Sequence, residues 1–206
     1  MAYAFHGGKQ ENGTFMNPYT PLDGDMKKVA PIDCSQDGGL RISHIEPFTT
    51  GRPVDPTYVP TRLKRGGPSP SKQPLLEIGS FNAGGLLVSE QFKEILEGLE
   101  PGVHQFFPME IEQRGKYLGK RYLFVIGNRL DSLNRAHSIP KTDPGTLFSH
   151  LTSLGEIKKV FDKKSIADHH AWHDKYCRGR YVSDELVAAL KAAGLTNFSC
   201  IHYDEA

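Results

Sequence analysis

Cysteine is scarce in this sequence, and the cysteines that occur do not suit a disulfide framework. Of 206 residues only Cys34, Cys177 and Cys200 are cysteines, an odd number with wide spacings and no CxxC pair. A disulfide-stapled secreted domain carries more cysteines, in an even number. The chain is therefore expected to fold around a hydrophobic core in a reducing compartment.

Long apolar runs are also missing. The longest, residues 122–126, is far below the ~20 residues that a membrane-spanning helix requires. Residues 1–10 lack the basic patch followed by an apolar stretch that marks a secretory leader, and Met1 argues against a leader already removed. The sequence therefore predicts a cytoplasmic protein without a membrane association.

Neither sign of charge is in excess. The chain carries 25 basic and 24 acidic residues, for a net charge of +1. Nucleic-acid binders usually show a marked basic surplus, and an inhibitor that mimics DNA would be strongly acidic. No nucleic-acid partner is expected, and Lys64 and Arg65, beside two glycines, are interpreted as part of a solvated loop.

Familiar catalytic motifs are absent too: the sequence contains no GxSxG, HExxH, P-loop or GxGxxG. A thiol nucleophile, Cys177 or Cys200, is the remaining possibility, because Cys200 and His202 are two residues apart on a predicted strand. A buried structural cysteine is the commoner situation. No enzymatic activity and no cofactor are therefore expected.

Glycine and proline are plentiful, and proline is concentrated in the first third of the chain. Eight of the fourteen prolines fall in residues 31–74. Residues 1–74 are predicted to be an irregular region packed on the main domain, with a loop over residues 61–71. Short strands are predicted at residues 40–45 and near Tyr58. Residues 75–206 are predicted to form an α+β domain, and the whole chain one continuous globular unit.

Residues 75–206 show the clearest elements. Ser89 and Ser183 are predicted N-caps of two amphipathic helices, the second ending at Gly194. Strands are predicted at residues 75–78, leading into Val88-Ser89-Glu90, at residues 103–111 (broken at Pro108), at residues 121–126 in the middle of a sheet, and at residues 198–203. Gly115 lies in a hairpin turn and residues 128–134 in a loop. The pattern predicts an α+β fold with a mixed, mostly antiparallel sheet and a few helices packed on it.

The two helical units share a pattern at an offset of 94 residues. Val88-Ser89-Glu90 leads into the first helix as Val182-Ser183-Asp184 leads into the second, and a strand follows each helix. Two explanations stay open. The first explanation is coincidence, because capped amphipathic helices are common. The second is that the chain contains two related helix-plus-strand lobes on one sheet.

The order of these motifs resembles immunity family eleven of bacterial polymorphic-toxin systems, formerly a domain of unknown function. The resemblance runs over residues 75–206: Val88-Ser89-Glu90, the helix end at Pro101-Gly102, the strand at 105–111, the hairpin, His170-Ala171-Trp172, and the second capped helix before a last strand. It implies a protein that binds and neutralises a cognate toxin, and it provides no catalytic residues.

Residues 168–177 carry the sharpest candidate site. On a helix, His169, His173 and Cys177 would share one face, and imidazole and thiolate are zinc ligands; the sequence provides no fourth ligand. The segment is otherwise interpreted as a polar surface stretch with clustered histidines, and within it His169, His170, Trp172, His173 and Asp174 are candidate partner-binding residues, because tryptophan is enriched in interface hot spots. Packing of Trp172 in the core is the competing interpretation.

Overall fold

The computed structural model describes residues 1–8, 19–32, 47–66, 74–148 and 157–206, which form two six-stranded sheets. Elements are numbered along the chain. The first sheet has the order β8-β10-β11-β1-β12-β9 and contains β1 (Ala2–Gly7), β8 (Arg129–Leu130), β9 (Val160–Phe161), β10 (Ala171–Asp174), β11 (Tyr181–Ser183) and β12 (Phe198–Glu205).

The second sheet has the order β2-β3-β6-β7-β5-β4. It contains β2 (Tyr19–Pro21), β3 (Arg62–Arg65), β4 (Ile78–Ser80), β5 (Leu86–Val88), β6 (Gln105–Gln113) and β7 (Lys116–Val125). Among the described residues, seven of the ten strand pairings in the two sheets are antiparallel. The predicted α+β class with mixed, mostly antiparallel pairing is confirmed, with two sheets in place of one.

Three helices lie in the described ranges: α1 (Glu90–Leu99), α2 (Lys163–Ile166) and α3 (Asp184–Ala192). Both predicted caps are confirmed, since Ser89 Oγ accepts from Phe92 N at 3.3 Å and Ser183 Oγ accepts from Leu186 N at 3.0 Å. Gly194 ends α3 with φ +78°. None of these helices has the length and apolar character to cross a bilayer.

The two similar units lie in different sheets. The unit β5-α1-β6 belongs to the second sheet and β11-α3-β12 to the first, so the version with both lobes on one sheet is wrong. Their helices share a core cluster that includes Phe92 and Leu96 of α1 together with Leu186 and Leu190 of α3. The same cluster contains residues of both sheets, so α1 and α3 contribute to a core that the two sheets share.

The hairpin between β6 and β7 follows the prediction closely. Gln113 pairs with Lys116, and Arg114 (φ 52°) and Gly115 (φ 74°) form the two-residue turn that such tight hairpins require. β7 lies in the middle of its sheet, as predicted. The predicted break at Pro108 is wrong, because β6 pairs with β3 only over Glu110–Glu112, so Pro108 lies where β6 has one neighbour.

Several predictions for the first third of the chain need correction. The strand predicted near Tyr58 is a 3-10 helix, Pro56–Tyr58, because Asp55 Oδ1 accepts from Thr57 N at 2.9 Å and caps that turn. The predicted loop at residues 61–71 begins with strand β3, which has a partner on each side. The predicted strand at residues 40–45 and the loop residues 67–71 lie outside the described residues.

Two predicted element boundaries shift. The strand predicted at residues 75–78 begins only at Ile78, because the carbonyls of Leu75 and Leu76 accept hydrogen bonds at 2.7 Å from the Arg121 guanidinium. The predicted loop at residues 128–134 contains the short strand β8, which pairs in parallel with β10. Both differences arise from tertiary contacts that local sequence does not show.

The two sheets meet where β1 passes β4. Gly8 N donates to Ile78 O at 2.9 Å, and Ser80 Oγ donates to Gly7 O at 3.0 Å. A Cβ atom on Gly7 would lie 2.7 Å from a methyl of Leu86 and 2.8 Å from a methyl of Ile78, so any larger residue would displace these buried side chains. This junction keeps β1 and its neighbours β11 and β12 in contact with the second sheet.

Candidate partner-binding site

The middle of the histidine-rich segment 168–177 is a strand, whereas the zinc hypothesis requires a helix there. Residues Ala171–Asp174 form β10, with Trp172 opposite Tyr181 of β11 and His173 opposite Arg129 of β8. Successive side chains of a strand point to opposite faces, so the helical i, i+4, i+8 geometry does not apply. The structure therefore does not place His169, His173 and Cys177 on one helical face.

Three of the five predicted partner-binding residues are buried. Trp172, His173 and Asp174 have at most 1% exposure. Trp172 lies between Phe161, whose ring centroid is 6.2 Å away, and Tyr181, at 6.0 Å. Core packing of Trp172, the competing interpretation, is what the structure shows.

Asp174 holds the backbone after β8. Its Oδ2 accepts from Ser132 N at 2.7 Å, Ser132 Oγ at 2.8 Å and Leu133 N at 3.0 Å, while Oδ1 accepts from Tyr176 N at 2.7 Å. A buried carboxylate with four donors is well compensated for its loss of hydration. This arrangement gives Asp174 a sufficient role in organising the fold.

His169 and His170 are the members of the predicted set that reach the surface. The His169 side chain is 33% exposed, and its Nδ1 lies 3.6 Å from Glu100 Oε1. The His170 side chain is 15% exposed; its Nδ1 lies 2.9 Å from Ser183 Oγ and 3.9 Å from Glu185 Oε2. Each histidine is thus oriented by a helix terminus, the end of α1 or the start of α3.

Beneath His169 lies a buried polar network centred on Glu100. The carboxylate accepts from His104 Nε2 at 2.9 Å, Asn128 Nδ2 at 2.7 Å and Ala171 N at 3.0 Å. Burial alone would raise the pKa of Glu100, but the hydrogen bonds from His104 and its other partners outweigh burial and lower it. The ionised carboxylate therefore joins α1, the chain after β7 and strand β10.

The tautomer of His104 follows from its partners. Gly127 N can only donate, and it lies 3.1 Å from His104 Nδ1, so Nδ1 carries a lone pair and Nε2 carries the proton donated to Glu100. Sequence reasoning missed this network because its members are far apart in the chain. One signal was present: Glu100 ends α1, where the helix dipole disfavours a carboxylate and a compensating partner is needed.

A pocket of about 220 Å³ opens beside the two exposed histidines. Its apolar lining comes from Ile166, Ala167 and Trp172, and its polar lining from Met1, Lys163, His169, His170, Ser183, Asp184, Glu185 and Glu205. A neighbouring, wider groove of about 420 Å³ shares Met1 and Glu205 and adds His137, Lys158, Val160, His202, Asp204 and Ala206. The predicted segment therefore borders a concave polar surface.

Three carboxylates and two ammonium groups line the pocket. The Met1 ammonium lies 2.7 Å from Asp184 Oδ1 and 3.1 Å from Glu205 Oε1. Burial opposes the charged amine, yet the hydrogen bonds to Asp184 and Glu205 prevail and raise its pKa, and the same amine lowers the pKa of Asp184. Glu185 is the most exposed carboxylate of the three, with a side chain 66% exposed.

The zinc and thiol alternatives find little support in the geometry. Over the described ranges, no group of three His, Cys, Asp or Glu side chains is arranged to hold a metal ion. His173 Nδ1 lies 2.7 Å from Gly179 O, and Cys177 Sγ lies 3.2 Å from Tyr181 Oη. Burial raises the pKa of Cys177 and raises that of Cys200 to about 11, which disfavours a thiolate nucleophile.

Comparison with known proteins gives one family match. A family model described as the Immunity protein family (Imm11) matches residues 50–204, about three quarters of the chain. No curated protein matches the sequence.

Proposed function

Because the chain belongs to the Imm11 immunity protein family, we propose that it binds and neutralises a cognate bacterial toxin, one molecule to one, in the cytoplasm of the bacterium that makes both. The toxin is proposed to be an effector of a polymorphic-toxin system. The family match over residues 50–204 carries this proposal. The protein acts as a binding partner, without catalysis and without a cofactor.

The polar groups at the candidate site support binding over catalysis. Both buried carboxylates, Glu100 and Asp174, are occupied by donors of their own chain. A catalytic carboxylate must keep an atom available to the reacting group. These two acids therefore stabilise the scaffold that presents His169 and His170.

We assign the toxin interface to the surface around the 220 Å³ pocket. His169 and His170 contribute directly, since both side chains are partly exposed. Trp172, His173 and Asp174 contribute indirectly. Their buried side chains hold strand β10 in place, and β10 in turn fixes the position of the two histidines. Fixed side chains lose little conformational entropy on binding, which favours affinity.

Co-expression with the neighbouring open reading frame tests the function. If that frame encodes the toxin, its expression should arrest growth, the immunity protein should restore it, and the two chains should elute together at equal molar amounts. An unrelated toxin serves as the specificity control. The proposal would be contradicted if growth is not restored and no complex forms. If the purified protein also contains stoichiometric zinc, the metal alternative at His169, His173 and Cys177 is favoured.

A further inference from the structure

We propose that the pocket beside His169 and His170 receives a basic side chain, an arginine or a lysine, of the toxin. This inference rests on the proposed function and adds the chemistry of the contact. It is supported by the size of the pocket, the charges along its rim and an unused donor in its lining.

The size of the pocket suits a single side chain. Pockets for metabolites and cofactors usually measure about 300–1,000 Å³, whereas this one measures about 220 Å³. Ile166, Ala167 and Trp172 provide an apolar part of the lining. The long aliphatic stems of arginine and lysine pack on such surfaces while their charged ends reach polar groups.

The charges along the rim favour a cation. Asp184 and Glu205 already hold one, the Met1 ammonium, at 2.7 and 3.1 Å. Glu185 Oε2 lies 3.9 Å from His170 Nδ1, and the Glu185 side chain is 66% exposed. Lys163 provides the second ammonium group of the lining, so three carboxylates face two ammonium groups, and the exposed Glu185 can accept a cation from outside.

An independent feature points to a peptide as the carrier of that cation. Trp172 lines the pocket, and its buried indole N–H finds no acceptor in the described part of the chain. A buried donor without an acceptor is unfavourable, and a carbonyl oxygen of an occupant would satisfy it. A toxin segment provides both carbonyl oxygens and a basic side chain, whereas a free metal ion provides neither.

The test measures the dissociation constant of the complex with the toxin encoded by the neighbouring gene, using calorimetry. Glu185→Lys reverses the charge at the rim, and Glu94→Lys makes the same change at an exposed position of α1 away from the pocket. We expect Glu185→Lys to weaken binding about tenfold or more and Glu94→Lys to change it less than about twofold. Glu185→Gln, which preserves size, should weaken binding by a smaller factor.

Two details of the design keep the outcomes separate. The affinity tag is placed on the toxin, because Met1 and Ala206 both lie at this surface. Trp172 is the only tryptophan, so with a tryptophan-free toxin variant its fluorescence should change on binding.

If the wild-type complex forms but Glu185→Lys and Glu185→Gln bind as tightly as wild type, the pocket assignment is overturned while the immunity function stands. If wild type forms no complex, the proposed function itself fails.

Discussion

Glu100 shows how one side chain can connect distant parts of this chain. Its carboxylate ends α1 and accepts from His104, Asn128 and the backbone N–H of Ala171 at 2.7–3.0 Å. The last of these contacts reaches β10 of the first sheet, while α1 packs against the second. The charge is unfavourable at a helix C-terminus and is retained because it satisfies buried donors.

Removing this carboxylate should destabilise the fold strongly. Glu100→Ala leaves two buried donors, His104 Nε2 and Ala171 N, without their acceptor and removes one of the two acceptors of Asn128 Nδ2, and we expect a loss of about 3 kcal/mol in the free energy of unfolding. Urea denaturation followed by circular dichroism measures it. Glu94→Ala, at an exposed position on the same helix, should stay within about 0.5 kcal/mol of wild type. Equal effects of the two substitutions would refute the role of the network.

The protonation of Glu100 gives this contribution a defined pH range. Because its pKa is lowered in the folded protein from an ordinary value of 4.5, its contribution is complete above that value and is lost as the pH falls through the folded pKa. The stability difference between wild type and Glu100→Gln should therefore be constant near neutrality and shrink below pH 4.5. Denaturation curves at several pH values would show this, and a difference that grew on acidification would contradict it.

At the scale of elements, the two capped helices differ in one respect. Ser89 Oγ accepts from the first turn of α1, whereas Ser183 Oγ both accepts from Leu186 N at 3.0 Å and lies 2.9 Å from His170 Nδ1. The second cap therefore also orients a side chain at the candidate interface. The same local motif serves folding in one unit, and folding plus presentation of His170 in the other.

Removing each cap separately should show this difference. Ser89→Ala should cost about 1 kcal/mol in the free energy of unfolding, and Ser183→Ala should cost more, because His170 also loses its partner. Thermal and urea unfolding measure both. Only Ser183→Ala should weaken binding to the toxin. Equal effects of the two variants on binding would show that the orientation of His170 is unimportant.

Local sequence patterns were sufficient for the capped helices and for the hairpin at Gly115, because caps and tight turns depend on neighbouring residues. They were misleading for residues 168–177, where a spacing typical of a helix extends across strand β10, which contains His173 but neither His169 nor Cys177. β10 pairs with the nearby strand β11 and, in parallel, with β8, which lies more than forty residues earlier in the chain. The Glu100 network was missed for the same reason: tertiary contacts decide it.

At the scale of the whole molecule, two mixed sheets meet where β1 passes β4, and α1 and α3 share one hydrophobic core with residues of both sheets. The family match begins at residue 50, earlier than the resemblance over residues 75–206, and so includes strand β3. The Pro-rich first third thus contributes a paired strand to the second sheet. The scaffold holds a concave polar surface at the end of the first sheet.

If this protein neutralises its toxin by forming a one-to-one complex with it, a titration of toxin activity tests that mechanism most directly. Increasing amounts of the purified protein are added to a fixed concentration of the toxin, well above the dissociation constant, and residual activity is measured. We expect activity to fall linearly and to vanish at one molar equivalent. Loss of activity at a small fraction of an equivalent would indicate catalysis, and undiminished activity at excess would indicate that no inhibitory complex forms.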